Sequence, residues 1–144
     1  MVGWVLRLEV LELPDFSDII GKWKFGTNPD EPNCWSLCKE AGKRLGVELP
    51  FYSAWIKSLH ERLIYINNRK DDDFVPLDKP EIGCIVLFKV AAPKPNHMGI
   101  MVDNKGNFIH VFEGTRASIE NVNRMRWHNR IIGYYKYAKH NKIK

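Results

Sequence analysis

His97-Met98-Gly99-Ile100-Met101-Val102-Asp103-Asn104-Lys105-Gly106-Asn107-Phe108-Ile109-His110-Val111-Phe112 is the stretch that decides the fold. Two apolar runs flank Asp103 to Gly106, all turn formers, which predicts a β-hairpin. Strand side chains alternate between faces, so two of them share a side only when the pairing register has the right parity. With Val102 opposite Asn107, His97 faces Phe112, and His110 becomes its diagonal neighbour on the same side. Such neighbours lie ~7–8 Å apart at the backbone, within reach of each other's rings. A slip of one residue would separate them.

Strand signals continue on both sides of this hairpin. Upstream, Gly83 marks a turn and Cys84 to Val90 is a continuous apolar run suited to a buried strand, in which Cys84 is a core residue. Ala91 to Asn96 carries two prolines and reads as a loop. Downstream, Ala117 to Val122 can add a strand, and Arg130 to Tyr137 reads as the last one.

The first half of the chain has a helical period instead. Asn33 is a good N-cap, Cys34 to Leu45 fits a helix, and Gly46 stands just beyond its end. Trp35, Cys38, Ala41, Gly42 and Leu45 form its inward stripe. A second helix is expected from Ser53 to about Tyr65, with Trp55, Ile56, Leu59, Leu63 and Ile66 at helical spacing. Asp15 to Gly21 suggests a short helix capped by Asp15 or Ser17, and Val5 to Leu13 a strand ended by Pro14. Gly26 to Pro32 and Asn67 to Asp73 read as loops. Helices followed by a run of strands predict an α+β fold, an antiparallel sheet packed on N-terminal helices.

At 144 residues the chain is expected to form a single domain over 1–144. Its 44% hydrophobic and 27% charged residues are ordinary for a globular protein. No apolar run approaches the ~20 residues of a membrane span. Met1 to Leu13 includes Arg7, Glu9 and Glu12 and lacks the plan of a signal peptide, so synthesis in a cytoplasm is expected. Lys and Arg outnumber Asp and Glu by 22 to 17, with a pI near 9.1. The excess gathers after Arg116 and favours anionic partners such as nucleic acid, a cell-wall polymer or an acidic protein face. Alternating placement in a strand explains the basic, aromatic stretch Tyr134 to Lys139 more simply than nucleic-acid binding, which is not expected. Three cysteines, an odd number, argue against a disulfide framework.

Cys34 in the first turn of its helix would sit where unpaired N–H groups and the helix dipole favour thiolate over thiol. His97 is then a candidate base that takes the thiol proton, and His110 the group that fixes its tautomer and orientation. A buried structural cysteine can occupy the same position, and the two histidines on one hairpin tip the balance towards catalysis. The competing chemistry is zinc held by Cys34, Cys38, His97 and His110. Against it, Cys34 and Cys38 are spaced four apart inside a helix. No metal and no cofactor are expected. His60, His128 and His140 lack a partner signal.

These residues resemble the NlpC-type cell-wall peptidases, papain-like cysteine hydrolases, and within them the branch found in bacteriophage tails. Asn33-Cys34-Trp35-Ser36-Leu37 resembles the nucleophile motif, and Leu45-Gly46-Val47-Glu48-Leu49-Pro50-Phe51-Tyr52 the segment next to it in that branch. Pro80-Glu81-Ile82-Gly83-Cys84-Ile85-Val86-Leu87-Phe88 resembles the strand before the base. His97-Met98-Gly99-Ile100 and Phe108-Ile109-His110 resemble the base and orienting motifs, and Ile132-Gly133-Tyr134-Tyr135 the terminal strand of the tail branch. The likeness runs in order over about residues 20–137. It implies a papain-like fold with Cys34 as nucleophile, His97 as base and His110 as third member. The Cys34 N–H would help bind the oxyanion, with Trp23, Asn33 and Trp35 as the other oxyanion and binding candidates. Two positions depart from the family pattern. Trp23 or Phe25 precedes Gly26 where a tyrosine is usual, and Cys84 stands where an acidic residue is usual.

The function so implied is hydrolysis of peptidoglycan stem peptides through an acyl-thioester, by an enzyme carried in a virion tail to open the cell wall. The alternative is a structural component of the tail tip whose catalysis is dispensable, bound to other tail-tip proteins. Residues 1–14, outside the likeness, are then a possible docking strand. A permuted lipid acyltransferase would need its histidine before its cysteine, the reverse of the order here.

Overall fold

A computed structural model describes residues 14–23, 33–50, 59–68, 73–112 and 115–138. Its elements, in chain order, are α1 (Asn33–Arg44), α2 (Leu59–Asn67), β1 (Phe74–Leu77), β2 (Ile85–Phe88) and β3 (His97–Met101). After these come β4 (Asn107–His110), β5 (Ser118–Asn121), α3 (Met125–His128) and β6 (Ile131–Tyr137). The strands form one antiparallel sheet in the order β1-β6-β2-β3-β4-β5. The fold is α+β, helices against an antiparallel sheet, as the change of period along the chain predicts.

α1 shows why the chain packs as it does. Trp35, Leu37, Cys38 and Ala41 are fully buried, and Gly42 lies flat enough that a Cβ there would meet Ile100 Cδ1 at 3.2 Å. The helix ends in a Schellman arrangement: Gly46 N–H donates to Lys43 O and Val47 N–H to Gly42 O, with Gly46 at φ +85°. That positive φ suits glycine, which has no Cβ to clash. Helix, turn and sheet enclose one core layer containing Trp35, Leu37, Leu63, Ile66, Ile85, Leu87, Met98, Ile100 and Ile109. The other sheet face carries a second, aromatic layer of Phe88, Phe108 and Trp127 with Val86, Met101 and Cys84. β2 is buried on both faces, which explains its unbroken apolar run.

Several details differ from the sequence expectations. Asp15 to Gly21 is a run of turns rather than a helix. Asp15 Oδ1 does cap it, accepting from Ser17 N–H at 2.8 Å, and Arg44 holds it to α1 through both oxygens of Asp18. β1 lies in a stretch with no expected element, and it contains Pro76. It is an edge strand, the place in a sheet where a missing N–H is tolerated. α3 is also unforeseen, a single turn too short to show a period. α2 ends at Asn67, two residues beyond the expected end, and its expected start at Ser53 lies outside the described residues. The expected strand Val5 to Leu13 and loop Gly26 to Pro32 lie outside them too. No helix among the described residues is long and apolar enough to cross a membrane.

Candidate active site

The hairpin of β3 and β4 has the register that parity requires. Ile100 lies opposite Ile109 and Met101 opposite Phe108, and Val102 N–H donates to Asn107 O at 3.0 Å. Gly99 therefore sits across from His110, and a Cβ on it would come within 2.8 Å of Phe108 Cδ2 and 3.0 Å of Ile109 O. Its bare backbone leaves room for the imidazoles to meet. His97 Nε2 lies 2.9 Å from His110 Nδ1, with the two rings edge to face. Both histidines are buried. Phe112 stacks on His97 with centroids 3.9 Å apart, and Phe88 and Trp127 close the box around it.

The chain of polar contacts continues to a residue absent from the sequence candidates. His110 Nε2 lies 2.6 Å from Glu120 Oε2, and Trp127 Nε1–H donates to Glu120 Oε1 at 2.7 Å. Ser118 Oγ is 3.4 Å from the same His110 nitrogen. β5 pairs with β4 so that Ser118 lies opposite His110 and Glu120 opposite Phe108, which puts the carboxylate on the histidine face. Burial raises the Glu120 carboxyl, but hydrogen bonds from Trp127 and His110 outweigh it and hold the group below its usual value. Burial likewise depresses His110 more than its bond to Glu120 raises it, so the pair is a neutral imidazole on an ionised carboxylate. Burial, and then the nearby His110, depress His97 well below 6.5.

Cys34 lies in the first turn of α1, as expected, and its ionisation differs from the expectation. Desolvation pushes the thiol up to about 12, although N–H groups of Met98, Cys34 and Trp35 pull the other way. The helix start does favour the thiolate, and burial wins. The Met98 contact places Sγ against β3 one residue beyond His97. Cys34 belongs to the core on the helix side of the sheet, whereas the His97 ring lies among the aromatics of the other side. Among the described residues no hydrogen bond joins the thiol to His97. The resting site therefore holds a neutral thiol and a neutral imidazole.

The remaining candidates serve the site less directly. Trp35 is fully buried, its N–H donating to Pro50 O at 2.9 Å and its ring lying under Arg62. Its side chain builds the core beneath Cys34. Trp23 is partly buried at the rim of that core, and its indole N–H is buried with no hydrogen-bond partner among the described residues. Asn33 opens α1. Cys34, Cys38 and Cys84 are free and buried, and Cys84 is core in the aromatic layer. Among the described residues no group of three His, Cys, Asp or Glu side chains is arranged to hold a metal ion.

Comparison with known proteins supplies the frame for this geometry. The model of the NlpC/P60 family matches residues 21–136. Among solved structures, the chain is similar to an NlpC/P60 family protein from Bacillus cereus ATCC 10987, with TM-score 0.57 and 16% identity over 84% of this chain and 37% of that one. It is also similar to a lipoprotein-like NLP/P60 family protein from Staphylococcus aureus subsp. aureus Mu50, with TM-score 0.50 and 16% identity over 83% and 38%. The chain thus spans less than two fifths of the length of these structures. No curated protein sequence matches it. With a family model covering most of its length and a matching fold, the chain belongs to the NlpC/P60 family.

Proposed function

We propose that this protein is a cysteine peptidase that hydrolyses peptidoglycan stem peptides, and that it works as a bacteriophage tail component during cell-wall penetration. Members of the family are typically cell-wall peptidases, which supports the coarse reading. The observation that carries the mechanism is the pair of imidazoles joined at 2.9 Å, together with a cysteine in the first turn of α1 whose thiol meets the N–H of Met98, the residue after His97. The tail location rests on the resemblance of 45–52 and 132–135 to the tail branch. A net charge of +5 suits an anionic wall polymer.

In this mechanism His97 Nδ1, the ring nitrogen not bonded to His110, accepts the Cys34 proton as sulfur attacks the peptide carbonyl. The tetrahedral oxyanion is held by the Cys34 N–H and by the Trp23 indole N–H. On collapse the C–N bond breaks, His97 returns its proton to the leaving amine, and a thioester remains on Cys34. Water, deprotonated by His97, then splits the thioester into a carboxylate and the free thiol. Because thiol and imidazole both rest neutral, proton transfer accompanies attack instead of preceding it.

A second reading, an assembly component of the tail tip with dispensable catalysis, is favoured by the thiol's burial and its lack of a bond to His97. Incubation with purified cell-wall sacculi separates the two. Wild type is expected to release soluble fragments, and Cys34→Ala to release none while melting at a similar temperature. Cleavage by the variant would overturn the nucleophile assignment. A wild type that never cleaves, combined with loss of tails when the protein is deleted, would establish the assembly role.

A further inference from the structure

Glu120 lies one residue beyond the conventional reach of a cysteine–histidine–histidine site, and its bonding is fully constrained. The Trp127 indole nitrogen can only donate, and it takes Oε1 at 2.7 Å. Oε2, at 2.6 Å from His110 Nε2, is an acceptor when the carboxylate is ionised, so that ring nitrogen must carry hydrogen. A neutral imidazole has one N–H, which leaves His110 Nδ1 bare. The bare nitrogen faces His97 Nε2 at 2.9 Å, so His97 must carry its hydrogen on Nε2. Ser118 Oγ, at 3.4 Å, can rotate to suit either form and decides nothing.

From this chain of forced choices we infer that Glu120 is a positioning residue whose carboxylate sets the tautomers of both histidines, so that of their two unprotonated nitrogens His110 Nδ1 is taken by His97 and His97 Nδ1 is left to accept a proton. The indole of Trp127 holds the carboxylate in place, and the aromatic box excludes water that could scramble the protons. The catalytic consequence rests on the cysteine-peptidase reading above; the tautomers themselves do not.

Glu120→Gln is informative because an amide has one acceptor and one donor end. Trp127 can only donate and so claims the amide oxygen. The NH₂ then donates to His110 Nε2 and reverses the whole chain, putting hydrogen on Nδ1 of both rings. Long-range ¹H–¹⁵N correlation spectra of the full-length protein near neutral pH read these states directly. Wild type is expected to show both histidines as Nε2–H, and Glu120→Gln both as Nδ1–H. Loss of the base should lower kcat by about 10²-fold or more with little change in KM. Trp127→Phe keeps the carboxylate and should keep the wild-type tautomers, whereas a packing role would make it behave like Glu120→Gln. Adding Trp127→Phe to Glu120→Gln frees the amide oxygen for His110 and should restore Nε2–H. His110 found as Nδ1–H in wild type overturns the inference, and so does Glu120→Gln with both tautomers unchanged. The wild-type spectrum decides even if Glu120→Gln fails to fold. Tautomers that switch as expected in a protein that cleaves no peptidoglycan would uphold Glu120 and reject the peptidase reading.

Discussion

At Cys34 two influences oppose each other. The first-turn N–H groups stabilise a thiolate, as at any helix start, and full burial destabilises it by more. With the thiol raised to about 12 and His97 held well below 6.5, burial favours a neutral thiol and a neutral imidazole over a thiolate–imidazolium pair. Alkylation of Cys34 by iodoacetamide, monitored by peptide mapping, should accelerate steadily from neutral pH upward. A plateau of high reactivity between about pH 5 and pH 7 would mean a preformed ion pair and contradict this picture. Here the sequence was legible only in part. Position in the helix could be read from Asn33 and Gly46, but burial depends on Trp35, Leu37 and the sheet packing around the thiol, which no local pattern encodes. Glu120 was missed for a related reason: a single acidic residue on a short edge strand is ordinary until its register against His110 is known.

At the level of elements, the hairpin is where sequence and structure agree most closely. Period-two alternation and the Asp103 to Gly106 turn permit one register that buries Ile100 and Ile109 together, and that register also joins the histidines. Gly99 is the price of that meeting. Gly99→Ala would push its Cβ into Phe108 and the Ile109 carbonyl, so thermal or denaturant melting should register a loss of about 1–3 kcal/mol. The same variant should shift the His110 ring resonances. A stability unchanged within error would show that the hairpin has slack the structure does not display. Elements without a period were illegible. β1 hides behind Pro76, α3 is one turn long, and the Asp15 cap signals a turn as readily as a helix.

Across the whole molecule, the buried titratable groups bound a window of stability. His97 and His110 have folded values below 6.5, so the unfolded chain takes up protons first as pH falls. Their contribution is present above about 6.5 and lost below it, and the Glu120 contribution is lost further down, below about 4.5. Cys34 and Cys84 are raised to about 12 and about 11, and Cys38 also rises, so the unfolded chain releases protons first above 9.0. Stability is therefore expected to be flat between about pH 7 and pH 8.5 and to fall on both sides. A melting temperature that rises on acidification from pH 7 to pH 5 would contradict the buried neutral histidines. The helix-on-sheet architecture that sets these burials puts the Cys34 thiol against Met98 on the helix side of β3 and the imidazoles with the Glu120 carboxylate on the other side, and the proposed role of these residues is to cut peptide bonds in the wall. Mass spectrometry of the fragments released from purified peptidoglycan tests it most directly. Wild type is expected to release fragments with new amino and carboxyl ends within the stem peptide, and Cys34→Ala to release none. Cuts in the glycan strands, or the same peptide fragments from both proteins, would contradict it.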